Sequence, residues 1–342
     1  MLGAVDQGLI SAILALGVYL TFRILNFADL TVDGSFTAGT ATAAILIFNG
    51  VSPVLATGAG LLAGAAAGCV TGLLHTKCHI DPLLSSILVM LAMYTVNTHI
   101  MWFGHDGQHR STVPLLNKPT IFTALVEQRL RGSWTSVGLI AVGVILVVIL
   151  VNWFLSTKFG LAVMATGDNP NMASAMGIST DRTKIITLMV SNGLVGLSGA
   201  ITAQYVGSSA IGDGTGMILV GLASVILGNA IFGSRFLWLA IFGVACGSVL
   251  YRVAIFFALK WDFIDSIDMK LMSAALVVIA LVASQFKGAQ VLVTKLSPWR
   301  SKSNVPEPMS VEPNRFSPFA EADAAAQASQ AAASGREAVR SD

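Results

Sequence analysis

The chain has 342 residues and a net charge of +2; 54% of its residues are hydrophobic, only 11% are charged, and the mean hydropathy is +0.75. A soluble domain carries roughly 25% charged residues, so this composition excludes a soluble globular protein and indicates an integral membrane protein. The basic residues are scattered at the ends of apolar segments, which excludes a nucleic-acid-binding face, and the three cysteines have neither metal-ligand nor disulfide spacing.

Apolar segments follow one another along most of the chain. A helix needs about 20 such residues to cross a bilayer, and we predict an all-α polytopic membrane protein with about nine transmembrane helices. The predicted spans are Gly8–Phe22, Ser35–Asn49, Val54–Leu74, Leu83–Phe103, Val137–Leu155, Lys184–Val206, Met217–Phe232, Phe236–Leu259 and Leu271–Phe286. They form a transmembrane domain over residues 1–296. Residues 297–342 have few large apolar side chains, which predicts a disordered cytoplasmic tail.

Lysines and arginines at the span ends predict the orientation. If the spans simply alternate, Arg23, Lys77, Lys158 and Arg235 fall on one side, which the positive-inside rule assigns to the cytoplasm. The N-terminus then lies outside, and the polar segment Gly160–Ile178 lies inside.

The first two predicted spans are separated by the polar run Asn26–Ser35, NFADLTVDGS, which contains Asp29, Thr31 and Asp33. This run is either an ordinary cytoplasmic turn or a break between half-helices that lines a substrate pathway. The flanking spans are short for a bilayer, at about 15 residues each, which is an argument for the break. Backbone polar groups at that depth must face protein or a water-filled cavity. Both alternatives stay open.

Polar side chains also occur within the later spans. Asn97, Asn192 and Gln204 each serve either as an interhelical hydrogen bond or as part of the substrate pathway. Arg252 is costly inside a membrane, so a functional role is the default hypothesis, unless its long side chain reaches the interface. In the third predicted span four glycines recur at every fourth position and form a smooth face for helix packing. They are Gly60, Gly64, Gly68 and Gly72.

The segment Gly160–Ile178, GLAVMATGDNPNMASAMGI, is too polar to cross a bilayer, yet it is patterned like a short amphipathic helix. Pro170 fits the first turn of that helix, and either Asp168 or Asn169 is able to cap it. The segment is therefore either a docking surface for a partner or a plain interfacial linker helix. Small residues near its end allow a close fit in a partner's cleft; they are Ala173, Ala175 and Gly177.

The sequence contains no nucleotide-binding or catalytic motif. The glycine-rich run Gly207–Gly216, GSSAIGDGTG, lacks the pattern GxxxxGK[ST], and its expected position is outside the membrane. The patterns HExxH and GxSxG are absent as well. We therefore expect a non-catalytic chain without metal or cofactor, whose energy, if it uses any, comes from another polypeptide.

The segment Gly160–Ile178 and the span after it resemble permease subunits of bacterial ABC importers for branched-chain amino acids, ribose and related solutes. The run Arg23–Phe36 resembles the pattern RIL-x-F-x-DLTVDGSF of a subgroup described as tryptophan or tyrosine importers. The chain departs from the family where Gly228 is followed by Asn229 instead of a second glycine. The resemblance of the segment Gly160–Ile178 to these permeases is carried by Gly167, Asn169, Pro170, Ala173, Ala175, Gly177 and Ile178.

This resemblance implies the permease subunit of an ATP-driven importer in a bacterial inner membrane. The expected cargo is a small solute, with an aromatic or branched-chain amino acid as the leading expectation. The implied partners are a second permease, identical or a paralogue, cytoplasmic subunits that bind the ATP, an extracytoplasmic solute-binding protein and membrane lipid. An ion-coupled secondary transporter and a membrane scaffold protein remain as alternatives. The residues expected to couple to the ATPase are Asp168, Asn169, Pro170, Ala173, Ala175 and Gly177.

Overall fold

The computed structural model describes residues 1–103, 111–116, 118–122, 134–233, 236–258 and 278. Within them the fold is all-α apart from one two-stranded ribbon, which confirms the predicted fold class. The helices are α1 (Leu2–Val18), which continues as a π-helix over Tyr19–Ile24, α2 (Thr31–Phe48), α3 (Pro53–Lys77), α4 (Pro82–Trp102), α5 (Trp134–Ser156), α6 (Lys158–Asp168), α7 (Pro170–Ala175), α8 (Thr180–Val206), α9 (Met217–Phe232) and α10 (Leu237–Ala258). The antiparallel strands are β1 (Thr112–Pro114) and β2 (Ser208–Ala210).

Seven of the described helices are long and apolar enough to cross a membrane, namely α1 with its π-helix, α2, α3, α4, α5, α8 and α10. The apolar helix α9 is shorter, with 16 residues. Eight of the predicted spans thus correspond to helices. The ninth, Leu271–Phe286, lies outside the described residues, and so does the tail 297–342. The total of nine spans and the division into two domains therefore stay predictions.

The first helix is longer than the apolar pattern predicts. It begins at Leu2 instead of Gly8, because Asp6 lies inside the bundle. The Asp6 carboxylate is fully buried and accepts hydrogen bonds from Ser136 Oγ at 2.8 Å and from the Tyr205 hydroxyl at 3.0 Å. Side chains of α5 and α8 thus supply hydrogen bonds to one oxygen, Oδ2, of a polar group that the sequence alone places near a helix end.

Helix α8 is the central helix of the bundle and packs against α1, α2 and α3. It runs antiparallel to α3 and lies so close that a methyl group on any of the four regularly spaced glycines of α3, Gly60, Gly64, Gly68 and Gly72, would collide with α8. Small residues allow such close approach in membranes, where van der Waals packing supplies much of the helix association. The facing pairs are Gly60 with Ala200, Gly64 with Asn192, Gly68 with Leu188 and Gly72 with Ile185.

Two of the segments between helices carry irregular backbone into the bundle. Residues 25–30, which we call the first break, separate the π-helix from α2. Residues 207–216, the second break, separate α8 from α9 and contain β2. Each break is thus preceded by a long helix, followed by a shorter one and then by another long one. The bonds from Ser191 Oγ to Gly17 O and from Ser198 Oγ to Ile10 O show that α1 and α8 are antiparallel. The helices around the first break, α1 to α3, therefore run in the opposite direction to the corresponding helices around the second break, α8 to α10.

Both breaks bring irregular backbone into the middle of the bundle. In the first, Asp29 bonds to Asn192, which lies near the middle of the 27-residue helix α8. After the second, Gly221 in the second turn of α9 packs on Leu14 and Val18, midway along the first span. The second break therefore starts at the ribbon and ends inside the bundle. The expectation that this segment lies outside the membrane stays a prediction.

The bundle has two ends, which we name the ribbon end, where β1 and β2 lie, and the α7 end. Between them the bundle is apolar outside as well as inside. The buried core includes Leu14 and Leu16, while on α5 the side chains of Val142, Leu146 and Ile149 are 65%, 61% and 62% exposed. A broad apolar outer surface is unfavourable in water and suits hydrocarbon. This arrangement agrees with a multi-pass membrane protein.

Candidate functional site

The segment predicted to form one amphipathic helix forms two. Helix α6 ends at Asp168 and α7 begins at Pro170, because Asn169 between them has extended backbone (φ −153°, ψ 99°). A proline disfavours helical backbone in the residue before it. Asn169 Oδ1 accepts a hydrogen bond from Met172 N at 3.0 Å, so Asn169 is the cap of α7 and Asp168 is not.

The other end of α7 is closed by Gly177, whose φ of +83° is available to glycine at little cost. Gly177 N donates to Ser174 O at 3.0 Å, and Ile178 N donates to Ala173 O at 3.1 Å. These two bonds form the Schellman arrangement that terminates many helices. A six-residue helix is unstable by itself, and these caps make α7 a defined element.

Helix α7 presents most of its surface to the outside of the chain. Met172 is 60% exposed and Met176 is 72% exposed, four residues apart on one face, whereas Ala173 is only 2% exposed. The Ala173 methyl group therefore packs on the chain itself. The remaining predicted coupling residues are all exposed; they are Asp168, Asn169, Pro170, Ala175 and Gly177.

Helix α6 connects α7 to the first break. Val163 of α6 is fully buried in a cluster with Leu25 and Phe27 of the break and with Leu188 of α8. Phe159 packs against the edge of the same cluster. The exposed helix α7 is thus linked to an element that enters the middle of the bundle.

Asp29 is the centre of a buried polar network. Its Oδ1 accepts a hydrogen bond from Thr31 N at 2.9 Å, and its Oδ2 accepts one from Asn192 Nδ2 at 2.6 Å. Asn192 Oδ1 in turn accepts from Ser35 Oγ at 2.7 Å, and Thr31 Oγ1 lies 2.8 Å from Thr71 Oγ1. The network therefore ties the first break and α2 to α3 and α8.

Asp33, in the first turn of α2, contacts the end of the second break. Its carboxylate accepts hydrogen bonds from Gly216 N at 2.8 Å and from Ile218 N at 2.9 Å. Thr37 Oγ1, one turn further along α2, accepts from Gly214 N at 3.1 Å. A carboxylate at a helix N-terminus satisfies free N–H groups and is favoured by the helix dipole. Helix α2 thus caps α9 inside the bundle.

The other predicted pathway residues do not join this centre. Each forms a bond to a neighbouring part of the bundle, as polar side chains between membrane helices commonly do. The pathway role of all seven predicted residues stays a prediction. The bonds are Asn97 Nδ2 to Gly34 O at 3.0 Å, Gln204 Nε2 to Thr57 Oγ1 at 2.7 Å, and Arg252 Nε and Nη2 to Ser11 Oγ at 3.2 and 3.1 Å.

Comparison with known proteins identifies the family. Residues 1–284 match the family model described as branched-chain amino acid transport system / permease component. The chain belongs to this family of ABC transporter permeases. The predicted resemblance is thereby confirmed, and the permease is a transport subunit of the branched-chain and ribose type.

Several relatives of the permease share much of its length. The tyrosine transport system permease protein of Clostridioides difficile (strain R20291) is 37% identical over 284 residues, which cover 83% of this chain and 90% of the relative. The ribose import permease protein RbsC of Escherichia coli (strain K12) is 26% identical over 231 residues, 66% of this chain and 67% of RbsC. No solved structure matches the permease.

Sequence reasoning missed several residues of these sites in the permease. Met172 and Met176 carried a visible signal, their spacing of four residues. Ser35 and Thr71 carried none, because small hydroxyl side chains in helices commonly bond to their own backbone. Gly216 was missed because nothing local to the second break indicates that it enters the bundle.

Proposed function

We propose that the permease is the translocation subunit of an ATP-driven importer, which moves a small solute inward with energy from a separate ATPase that docks on α7. The observation that carries this proposal is the form of α7. It is capped at both ends, is exposed on nearly all sides, and is held between α6 and α8.

The contacts of α7 support a role in transmitting motion. Through Ile178 and Ser179 the chain passes from α7 into α8, the central helix, whose Asn192 bonds to Asp29 in the first break. A push on a short rigid helix displaces the elements packed against it, because packed interiors do not deform continuously. Such a push from the ATPase would reach the polar network in the middle of the bundle.

The exposed methionines give the docking surface its chemistry. Met172 and Met176 are flexible, apolar and directed outward. Small residues flank them at Ala175 and Gly177, so the surface offers two apolar knobs on a narrow helix. We propose that these knobs enter an apolar cleft of the ATPase.

The proposed cargo is an amino acid, with aromatic and branched-chain amino acids as the two classes. This part of the proposal is supported by the 37% identity to a permease named for tyrosine transport, against 26% to one named for ribose import. The proposed assembly holds two permeases, alike or paralogous, ATP-binding subunits at the cytoplasmic α7 end and a solute-binding protein at the ribbon end. Its proposed location is a bacterial inner membrane.

Copurification tests the docking surface. Tagged permease, extracted from membranes of its source cells, is expected to bring down an ATPase that contains a Walker motif, identified by mass spectrometry. The double variant Met172→Ser with Met176→Ser is expected to lose it. The matched control is Val142→Ser with Leu146→Ser, which alters an exposed apolar pair of the same spacing on α5. Retention of the ATPase by the methionine variant contradicts docking on α7.

Reconstitution tests the cargo. Permease, ATPase and binding protein are placed in proteoliposomes, and ATP hydrolysis is measured with Trp, Tyr, Phe, Leu, Ile, Val or ribose. Stimulation by one of the amino acids is expected. No response to any of the six contradicts the amino acid proposal and leaves the importer class standing. Uptake by the permease alone under an ion gradient would instead support a secondary transporter.

A further inference from the structure

Gly167, in the last turn of α6, makes a contact that the docking of α7 does not by itself explain. Its Cα faces the backbone of Ile24 and Leu25, where the π-helix gives way to the first break. A methyl group at Gly167 would collide with the Ile24 carbonyl oxygen and would lie 3.1 Å from Leu25 Cα. The two segments therefore meet backbone to backbone, with no flexible side chain between them.

The first break is firmly held on its own side of this contact. Leu25 N donates to Leu20 O and Phe27 N donates to Thr21 O, both at 2.9 Å. The side chains of Leu25 and Phe27 are 5% and 4% exposed. Asn26 between them has a φ of +54°, a conformation that asparagine adopts more readily than most residues. A displacement applied at Leu25 would thus move the break as a unit.

The other side of the contact moves with α7. Asn169 ends α6 by donating its N–H to Ala165 O at 3.0 Å, and the same residue caps α7 through its side chain. Only Asp168 separates Gly167 from this shared residue. A displacement of α7 is therefore passed to the last turn of α6 without an intervening loop.

Beyond the contact the path to the polar network is short. Ala28 is the only residue between Phe27 and Asp29, whose carboxylate bonds to Thr31 N and to Asn192 Nδ2. Motion of the break would act directly on these two bonds. Asn192 belongs to α8, the helix that follows the C-terminal end of α7 in the chain. Both ends of α7 are therefore connected to the same pair of residues, Asp29 and Asn192.

We propose that Gly167 is a positioning residue for transport, which transmits displacement of α7 through the first break to Asp29. This inference rests on the proposed docking of an ATPase on α7. Glycine is required because any side chain would separate the two backbones. A larger residue at position 167 would leave α7 exposed and able to bind the ATPase, and would weaken the link between ATP hydrolysis and solute movement.

The test compares Gly167→Ala with Gly138→Ala and Gly143→Ala, two glycines of α5 where a methyl group meets no atom within 4 Å. Each variant is purified with the ATPase and reconstituted with the binding protein. Copurification, ATP hydrolysis and solute uptake are measured on the same preparation. For Gly167→Ala we expect unchanged copurification and a ratio of uptake to hydrolysis lowered about tenfold, within the usual range of coupling between sites. Both control variants are expected to keep the wild-type ratio.

A second variant covers the case in which Gly167→Ala folds poorly. Val163→Ala removes two methyl groups from the cluster with Leu25 and Phe27 and introduces no collision. It is expected to lower the same ratio, whereas Val142→Ala on the outer face of α5 is not.

The outcomes separate the inference from the function on which it rests. An unchanged ratio in Gly167→Ala and Val163→Ala overturns the role of Gly167. Loss of the ATPase from Gly167→Ala also overturns it, because the residue would then shape the docking surface instead of transmitting motion. Failure of the wild-type permease to bind any ATPase overturns the proposed function itself.

Discussion

Asp29 uses both of its carboxylate oxygens, one for Thr31 N and one for Asn192 Nδ2. An asparagine in its place offers one acceptor and one donor. Asn192 is able to compensate in part by reversing its amide, because Ser35 Oγ, which now donates to Asn192 Oδ1, accepts equally well. The reversal gives up the bond from Asn192 Nδ2 to Leu188 O at 3.1 Å. Position 29 therefore tolerates an amide better than loss of the polar group.

We predict that Asp29→Ala lowers the free energy of unfolding by about 1–3 kcal/mol, because buried N–H groups are left without an acceptor. Asp29→Asn is expected to unfold at a temperature between those of the wild type and Asp29→Ala, because the reversal of Asn192 gives up its bond to Leu188 O. Thermal unfolding of the permease in detergent measures both. The control is Asp81→Ala, since Asp81 Oδ1 also accepts from the N–H two residues ahead but at an exposed site. Equal losses for the alanine and asparagine variants would contradict the reversal of Asn192.

The same asparagine variant bears on the pathway. If Asp29 or Asp33 lines the route of the solute, its conversion to asparagine alters uptake even where stability is kept. Unchanged transport in Asp29→Asn and in Asp33→Asn would remove the pathway hypothesis and leave these residues as structural bonds.

Helix α9 depends on another helix for its beginning. The residue before it, Gly216, has a φ of +86° and offers no side-chain cap. A helix that begins inside a membrane finds no water for its first N–H groups. Asp33 from α2 supplies the acceptors. The sequence places α9 correctly at Met217–Phe232, but only the tertiary contact shows why a helix is able to begin there.

Helix α3 offers a test of close packing within a single element. Gly68→Ala is expected to destabilise the permease by about 1–3 kcal/mol, the usual cost of overpacking, because the new methyl group collides with Leu188 O and lies 2.8 Å from Asn192 Cβ. Gly58→Ala, on the same helix with no atom within 4 Å of the new methyl group, should be neutral or stabilising by up to about 1 kcal/mol. Chemical or thermal unfolding of the two variants gives the comparison. A smaller loss at Gly68 than at Gly58 would refute close packing of α3 on α8.

The described bundle is organised by two long helices, α1 and α8, that run antiparallel and are each followed by a break. The breaks enter from opposite ends, and Asp33 of α2, three residues after the first break, bonds to the end of the second. Opposed broken helices of this kind place irregular backbone where it is buried in protein, as membrane transporters require. The same geometry places α6 and α7 together at one end, where a partner has access.

Thiol labelling tests which end faces the cytoplasm. Cys78 is exposed and follows α3 at the α7 end, whereas Cys69 and Cys246 are less exposed and lie within α3 and α10. A membrane-impermeant maleimide is expected to label the permease in inside-out vesicles and not in intact cells. The variant Cys78→Ser should lose that label. Labelling from outside would reverse the predicted orientation and would place α7 out of reach of a cytoplasmic ATPase.

The sequence by itself determined the class of this protein, the positions of eight apolar helices and a helix start at Pro170. These features follow from local physics: the length of an apolar run and a proline at a first turn. It also indicated a face on α3, since four glycines at helical spacing need no other part of the chain to be noticed.

Only the tertiary structure decided how deep the breaks lie and what they touch. The bond between Asp29 and Asn192 joins residues far apart in the chain, and so does the contact of Gly167 with Ile24. Neither leaves a periodic or compositional trace, because one hydrogen bond or one missing methyl group suffices to make it. The start of α1 at Leu2 was hidden for the same reason. It depends on groups supplied by another part of the fold and not on any pattern in the residues themselves.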